Sequence, residues 1–145
     1  MREFKFDSRS KLKLRLGLFF FVQSLDLSDE MEYSKLQKAA GKIIINSVFN
    51  NIFETYIEPK KSEYRINIKK DNKIQFFVST PKEQGEQLVA CLKNMAELNI
   101  VDKKTIQEGF ILRNYKGREI KIKCATNPVK DGEMLVLTNF NHEVI

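Results

Sequence analysis

Thr80-Pro81-Lys82-Glu83-Gln84-Gly85-Glu86-Gln87-Leu88-Val89-Ala90-Cys91-Leu92-Lys93-Asn94-Met95-Ala96 is the stretch on which the fold turns. Thr80 and Glu83 have the spacing of a capping box, and Pro81 suits a first helical position, where a missing N–H is no loss. Leu88, Cys91, Leu92, Met95 and Ala96 then fall at i, i+3, i+4, i+7 and i+8, on one face of a helix ending near Leu98. On both sides of it the apolar period shortens to two. Tyr64 to Ile68 alternates, and Lys73 to Ser79 continues in extended style after Asp71-Asn72, so the pair reads as a hairpin whose turn tolerates positive φ. Downstream, Gly109 to Arg113 and Arg118 to Cys124 read as strands joined across Tyr115-Lys116-Gly117. Ile120, Ile122 and Cys124 share one face of the second strand, and Lys121 and Lys123 the other. Asn127-Pro128 and Asp131-Gly132 are turn signals, after which Glu133 to Leu137 supplies a last apolar strand.

Toward the N-terminus, Ser28 reads as an N-cap followed by Asp29 and Glu30 in a first turn. From Glu32 to about Phe53, Leu36, Ala40, Ile44, Val48 and Ile52 recur every four positions beside Ile45, Phe49 and Phe53, predicting a core helix that could break at Gly41. Earlier still, Lys11 to Leu16 alternates strictly, as a half-buried strand does, and becomes apolar on both faces near Phe19 to Phe21. The basic residues before Leu16 to Val22 imitate a secretory signal. Seven apolar residues without a small-x-small cleavage site do not make one, and a bilayer crossing needs about 20. Such an alternation could also lie on lipid head groups, although its period is a strand's. The expected organisation is an N-terminal strand and connector over 1–30, one domain over 31–140 and a tail over 141–145. Its class is α+β, a mostly antiparallel sheet with helices on one face. The chain reads either as an excised piece of a longer protein or, from its initial Met and strand-like start, as a complete small one.

The chain has 145 residues, 42% hydrophobic and 30% charged, which fits one domain with a real core and excludes disordered and collagen-like classes. A net charge of +6 favours acidic partners, nucleic acid or anionic membranes without choosing among them. Cys91 and Cys124 have no metal-ligand spacing, lie on the apolar faces of their elements and read as buried thiols in a reducing cytoplasm. His142 has no second histidine to join it, so no metal site and no histidine triad are expected. Gly41-Lys42 lacks the glycine spacing and the Ser or Thr of a P-loop, and no GxSxG turn exists. Asp71, Glu108 and Asp131 read as solvated loop charge. The informative charge is basic: Lys103, Lys104, Arg113, Lys116, Arg118, Lys121 and Lys123 face only Glu108 and Glu119 over that stretch. This hairpin is either an ordinary solvated strand pair or a docking surface. A nucleic-acid interface is disfavoured, because no RNP-like aromatic motif accompanies it.

Ile57-Glu58-Pro59, Tyr64-Arg65-Ile66 running to Asp71, Leu92 to Ile100, Lys103-Lys104, Gln107-Glu108-Gly109, Gly117-Arg118-Glu119-Ile120 and Gly132-Glu133 occur in that order. Together they resemble the amino-terminal PAS-like domain of the type II secretion and type IV pilus assembly ATPases. That family's run reads approximately DIHIEP, RxRxRIDG, K-x-MA-x-L-D-I, KR-x-PQDGR, GR-E-x-x-x-R and HGE, and the agreement covers residues 42 to 138. The resemblance implies a PAS-like two-layer domain that precedes a RecA-like motor. It further implies that such a domain packs against the motor domain of a neighbouring subunit in a hexameric ring and lends arginines toward nucleotide phosphates.

This chain departs from that pattern where charge matters most. The family's KR pair is Lys103-Lys104, its PQDGR is Ile106-Gln107-Glu108-Gly109-Phe110, and its later strand arginine is Lys123. Its DIHIEP aspartate and histidine are Glu54 and Tyr56, and the Walker motifs are missing. Lysine lacks the planar fork of a guanidinium and phenylalanine has no charge, so direct help to phosphate chemistry is lost. The other shared residues read as fold maintenance, with Pro59 and Gly109 at turns, Asp71 at a hairpin, and Met95, Leu98 and Ile100 in the core. The expected function is a non-catalytic protein-interaction or regulatory domain of such a system, without cofactor or metal. It would dock on a motor or regulator through Lys104, Gln107, Arg118, Lys121 and Lys123. Its expected place is the cytoplasm, associated through the machine with the inner face of the membrane. The alternative is a small basic nucleic-acid-binding module. A PAS-like pocket holding a small ligand has no specific residue in its favour, and the oligomeric state stays open.

Overall fold

The computed structural model describes residues 29–141, with side chains from Lys35 onward. The strand expected at the N-terminus and His142 lie outside the described residues. Helix α1 (Asp29–Phe49) is followed by strands β1 (Glu54–Pro59), β2 (Glu63–Lys70) and β3 (Lys73–Pro81), helix α2 (Lys82–Met95), and strands β4 (Gln107–Tyr115), β5 (Arg118–Val129) and β6 (Gly132–Asn139). The strands form one antiparallel sheet in the order β3-β2-β1-β6-β5-β4. Two three-stranded meanders thus meet where β1 pairs with β6, and the helices lie on one face. This is the two-layer α+β class expected from the sequence.

The turns form where residue type allows left-handed backbone. Asp71 (φ 52°) and Asn72 (φ 61°) close the β2–β3 hairpin, and Lys116 (φ 51°) and Gly117 (φ 78°) close β4–β5. Positive φ at both central residues matches the right-handed twist of the strands on either side. Helix α1 runs unbroken through Gly41 and stops at Phe49, short of the expected Phe53. Asn51 at φ 52° ends it, and the Ile52 amide turns back to the Ser47 carbonyl at 2.9 Å.

That early stop frees Glu54–Pro59 to become the strand at the middle of the sheet, an element the sequence reading left unassigned. Thr55, Ile57 and Pro59 face the helices, while Glu54, Tyr56 and Glu58 face away. Only one of the three inward residues is a strong hydrophobe, and the helical stripe runs straight into them. The periodicity therefore gives little contrast.

Four further expectations are corrected. The capping box at Thr80 does not form, because Thr80 is still in β3, opposite Tyr64, with its hydroxyl buried and unpartnered. Pro81 occupies the N-cap with no side-chain cap. Asn127-Pro128 is not a turn but lies inside β5, paired with Met134 and Glu133. Proline fits there because the β4 ladder stops at Thr126, leaving that edge of β5 without a neighbour. Gly109 sits in β4 rather than at a turn, and Ile100 is 38% exposed rather than in the core.

Helix α2 connects one edge strand, β3, to the other, β4, and so must cross the whole sheet. Its 14 residues span about 21 Å, close to the width of roughly 24 Å across five strand-to-strand steps. Two glycines let it lie close. A Cβ on Gly85 would stand 2.3 Å from the Tyr64 ring, and one on Gly109 would stand 2.5 Å from the Ala96 carbonyl oxygen. Leu88 and Leu92 then pack with Ala40 and Ile44 of α1 against Ile57, Ile66, Ile111, Ile122 and Leu135.

Inside this apolar layer is one ion pair. Lys93 on α2 is fully buried, and its ammonium donates to Glu133 Oε2 at 2.9 Å, Glu133 Oε1 at 3.1 Å and the Asp102 carbonyl at 2.8 Å. Its three donors therefore meet three acceptors. The Tyr64 hydroxyl donates to the Glu133 carbonyl at 3.2 Å, tying β2 to the same point.

Two stability predictions follow from this burial. Lys93→Met or Glu133→Gln alone strands a charge or polar group in the interior and is expected to cost about 3–5 kcal/mol, whereas Lys93→Met with Glu133→Leu costs less than either. Urea denaturation of the cycle measures this, and single variants costing under about 1 kcal/mol would remove the pair from its structural role. Burial also pushes the Cys124 thiol up to about 12 and the Tyr64 phenol up to about 12. The folded state therefore holds protons that the unfolded chain loses from about pH 9 and 10 upward. Their stabilisation is complete below pH 9 and is lost as pH rises toward 12. Melting temperature should fall across that window, less steeply in Cys124→Val, and rapid thiol labelling of the folded protein at Cys124 would contradict this burial.

Candidate docking surface

Alternation along β5 sends Ile120, Ile122, Cys124 and Thr126 toward the helices and Glu119, Lys121, Lys123 and Ala125 to the opposite face. Among the described residues nothing covers that opposite face. Register then sets which groups meet. Phe110 of β4 lies directly across from Lys123, and Leu112 across from Lys121. Lys123 pairs with Glu108 at 3.1 Å. The Lys121 ammonium sits 4.7 Å from the centre of the Phe110 ring and 6.0 Å from that of Phe140. The two rings meet edge to face at 5.6 Å. A lysine held over two aromatic faces is attracted by their quadrupoles, and it keeps an apolar platform available beside a charge.

The same face continues across the sheet. Ala125, Val136 and Tyr56 stand side by side in register on β5, β6 and β1. The Tyr56 hydroxyl donates to Glu54 Oε1 at 3.1 Å, and burial, then the Glu54 charge, raise its pKa above the ordinary phenol value. Farther out, the Arg65 guanidinium lies 4.7 Å from the Phe76 ring centre. Phe110, Leu112, Phe76 and Phe140 are all exposed. The sequence reading missed these aromatics because each is separated in sequence from the lysine or arginine beside it, and only strand register joins them.

The five residues expected at the interface are dispersed. Lys121 and Lys123 share the open face described above. Arg118 begins β5 with the parity of Ile120, on the helix side beside the β4–β5 turn. Lys104 lies in the loop before β4, at the opposite end of the hairpin, separated from Arg118 by the length of β4, about 27 Å. Gln107 is occupied within its own loop: Oε1 accepts from the Asn99 amide at 2.8 Å, and Nε2 donates to the Asn99 and Asp102 carbonyls, both at 3.0 Å. Asp102 caps the Lys104 and Thr105 amides in that loop. Hydrogen bonds, led by that from the Thr105 hydroxyl, hold its carboxyl below the usual carboxylate range.

Lys103, Lys104 and Lys130 line a pocket of about 410 Å³ with Glu86, whose floor includes Tyr64 and Glu133. Among the described residues no group of three His, Cys, Asp or Glu could hold a metal ion, and no helix is long and apolar enough to cross a membrane. Cys91 and Cys124 are unpaired and buried, and burial raises both thiols.

Comparison with known proteins brings a family into view. Residues 29–145 match the family described as Type II/IV secretion system protein. The chain is 25% identical over 120 residues to the type II secretion system protein E of Xanthomonas campestris pv. campestris, covering 83% of this chain and 21% of that protein. It is 22% identical over 108 residues to the type IV pilus assembly ATPase PilB of Thermus thermophilus, covering 74% and 12%. With PilB of Acinetobacter baylyi it shares 26% identity over 112 residues, covering 77% and 19%. The chain thus spans about a fifth or less of the length of these relatives.

Proposed function

Because this chain belongs to the Type II/IV secretion system protein family, we propose that it serves a type II secretion or type IV pilus-type machine as a non-catalytic docking module. Its partner in this reading is a RecA-like motor domain or a regulator, met through the open face of β4, β5 and β6. The observation that carries the reading is the uncovered face itself, with Phe110, Phe140 and Leu112 around Lys121 and Lys123.

The resemblance supports the same face. Two of the positions at which the related domains have arginines, Phe110 and Lys123 here, are directly opposed in the β4–β5 register. Two positions that serve one charged target in the family would therefore share a surface. In this chain one is an aromatic ring under Lys121 and the other is paired with Glu108. Such a pair suits protein contact better than phosphate. Aromatic side chains bring large contact area at low entropic cost, and the flanking charges set orientation.

Nucleic acid is the weaker reading. The open face has Arg65, Lys69, Lys121 and Lys123 interleaved with Glu54, Glu58, Glu108 and Glu119, and a phosphate backbone favours an uninterrupted basic stripe. The proposed place of action is the cytoplasmic side of the membrane, at the machine.

Calorimetry between this chain and the motor domain of a secretion or pilus ATPase from the same organism tests the proposal. Lys121→Glu with Lys123→Glu is expected to weaken binding about tenfold or more, a loss of about 1.4 kcal/mol or more. Lys104→Glu with Arg118→Glu should weaken it less. Undiminished affinity in the first variant would move the interface off this face, and salt-sensitive DNA or RNA binding would favour the other class of partner.

A further inference from the structure

Gly41 has no packing reason to be glycine. Gly85 and Gly109 are held by contacts that a Cβ would violate, yet a Cβ on Gly41 would meet nothing within 4 Å. In the middle of the 21-residue helix α1 a glycine weakens the helix relative to alanine. Nothing among the described residues offsets that cost. The space above it is a groove of about 330 Å³ between α1 and the β4–β5 hairpin. Ile44, Ile45, Met95 and Ile120 give it an apolar lining, and Arg113 and Tyr115 stand on the strand side.

Among the described residues, the charged groups on the two lips of the groove are basic. At 100° per residue, Gln37, Gly41, Ile44 and Ile45 occupy the arc of α1 that turns to the groove, and Lys38 and Lys42 lie on the adjoining arc toward solvent. Lys38 and Lys42 are exposed, and so is Arg113 on the other lip. No carboxylate lines the groove, and among the described residues none of these three cations has an ion-pair partner. The helical floor from Gln37 to Ile45 is about 12 Å long, or just over two helical turns. That length matches apolar anchors at i, i+4 and i+7 on a second helix.

We infer that this groove receives an acidic amphipathic helix from a partner protein, its apolar side chains over Gly41 and its carboxylates between Lys38, Lys42 and Arg113. Gly41 is the position that admits an anchor side chain. The apolar floor supplies burial, and the cations on both lips select against a neutral or basic helix. The site lies on the helix layer, opposite the open sheet face, so the chain can hold two partners at once. It therefore goes beyond the motor-docking reading and does not depend on it.

The test uses the full chain and a fluorescent helical peptide of about 14 residues, four turns, with leucines at i, i+4 and i+7 flanked by glutamates. Its controls replace every glutamate by lysine, or every leucine by serine. The acidic peptide is expected to bind, to shift the amide resonances of Gly41, Ile45 and Asn114, and to bind more weakly as salt is raised. Gly41→Leu, which fills empty space and removes a helix-weakening residue, should leave the fold at least as stable and weaken the peptide about tenfold or more, as should Arg113→Glu. Lys121→Glu with Lys123→Glu should bind the peptide normally, which separates this site from the sheet face. Equal binding of the lysine peptide, full affinity in Gly41→Leu, or shifts mapping elsewhere would each overturn the inference. So would phosphatidylglycerol vesicles perturbing these resonances when the acidic peptide does not.

Discussion

The Lys93–Glu133 pair is the constraint around which the domain is organised. A charge at the centre of a layer of isoleucine and leucine is tolerated only if its partners are placed within a few tenths of an ångström. Those partners come from three separate segments: α2 for the ammonium, the start of β6 for the carboxylate and the α2–β4 loop for the carbonyl of Asp102. Hydrophobic residues could slide past one another at modest cost, but an unmatched ion pair could not. We regard it as the feature that fixes where α2 ends relative to the sheet. Lys82 does similar work at the other end of the helix, donating to the carbonyls of Lys60 and Asp131 above the Tyr64 ring.

With α2 held at both ends, the sheet is covered on one side by two helices and, among the described residues, left bare on the other. Gly85 and Gly109 let the helix come close enough for Leu88 and Leu92 to reach the strands beneath. The bare side then acquires its character from register alone. Phe110 meets Lys123, Phe140 joins Phe110, and Lys121 lies over both rings. The surface is thus a by-product of the same pairing that builds the core.

Family resemblance and geometry explain different residues. Lys93, Gly109 and Glu133, which belong to the shared motif, turn out to serve packing and the buried pair. Positions that depart from the motif, Phe110 and Lys123, lie on the face away from the helices, where a change of side chain leaves the core packing undisturbed. A domain can in this way keep its scaffold while its contact surface diverges.

Much of the fold was legible in the chain itself. The period of Leu88 to Ala96 marked α2, alternation marked β2 and β5, and the Asp71-Asn72 turn marked β3 as the strand that continues from β2, because each signal lies within a few consecutive residues. The central strand β1 and the true end of α1 were not legible. Asn51 could have continued the helix or ended it, and the choice depends on the strand that β2 and β6 offer to Glu54–Pro59. Thr80 was misread for the same reason, since pairing with Tyr64 overrides a local cap. Of the candidate surface, composition revealed the lysines, but only three-dimensional pairing could set Lys121 over two rings, send Lys104 and Arg118 to opposite ends of β4 and keep Gln107 within its loop. Local periodicity determines which residues face a core. Long-range register decides which exposed residues become neighbours, because it is set by contacts between segments that no short window of sequence contains.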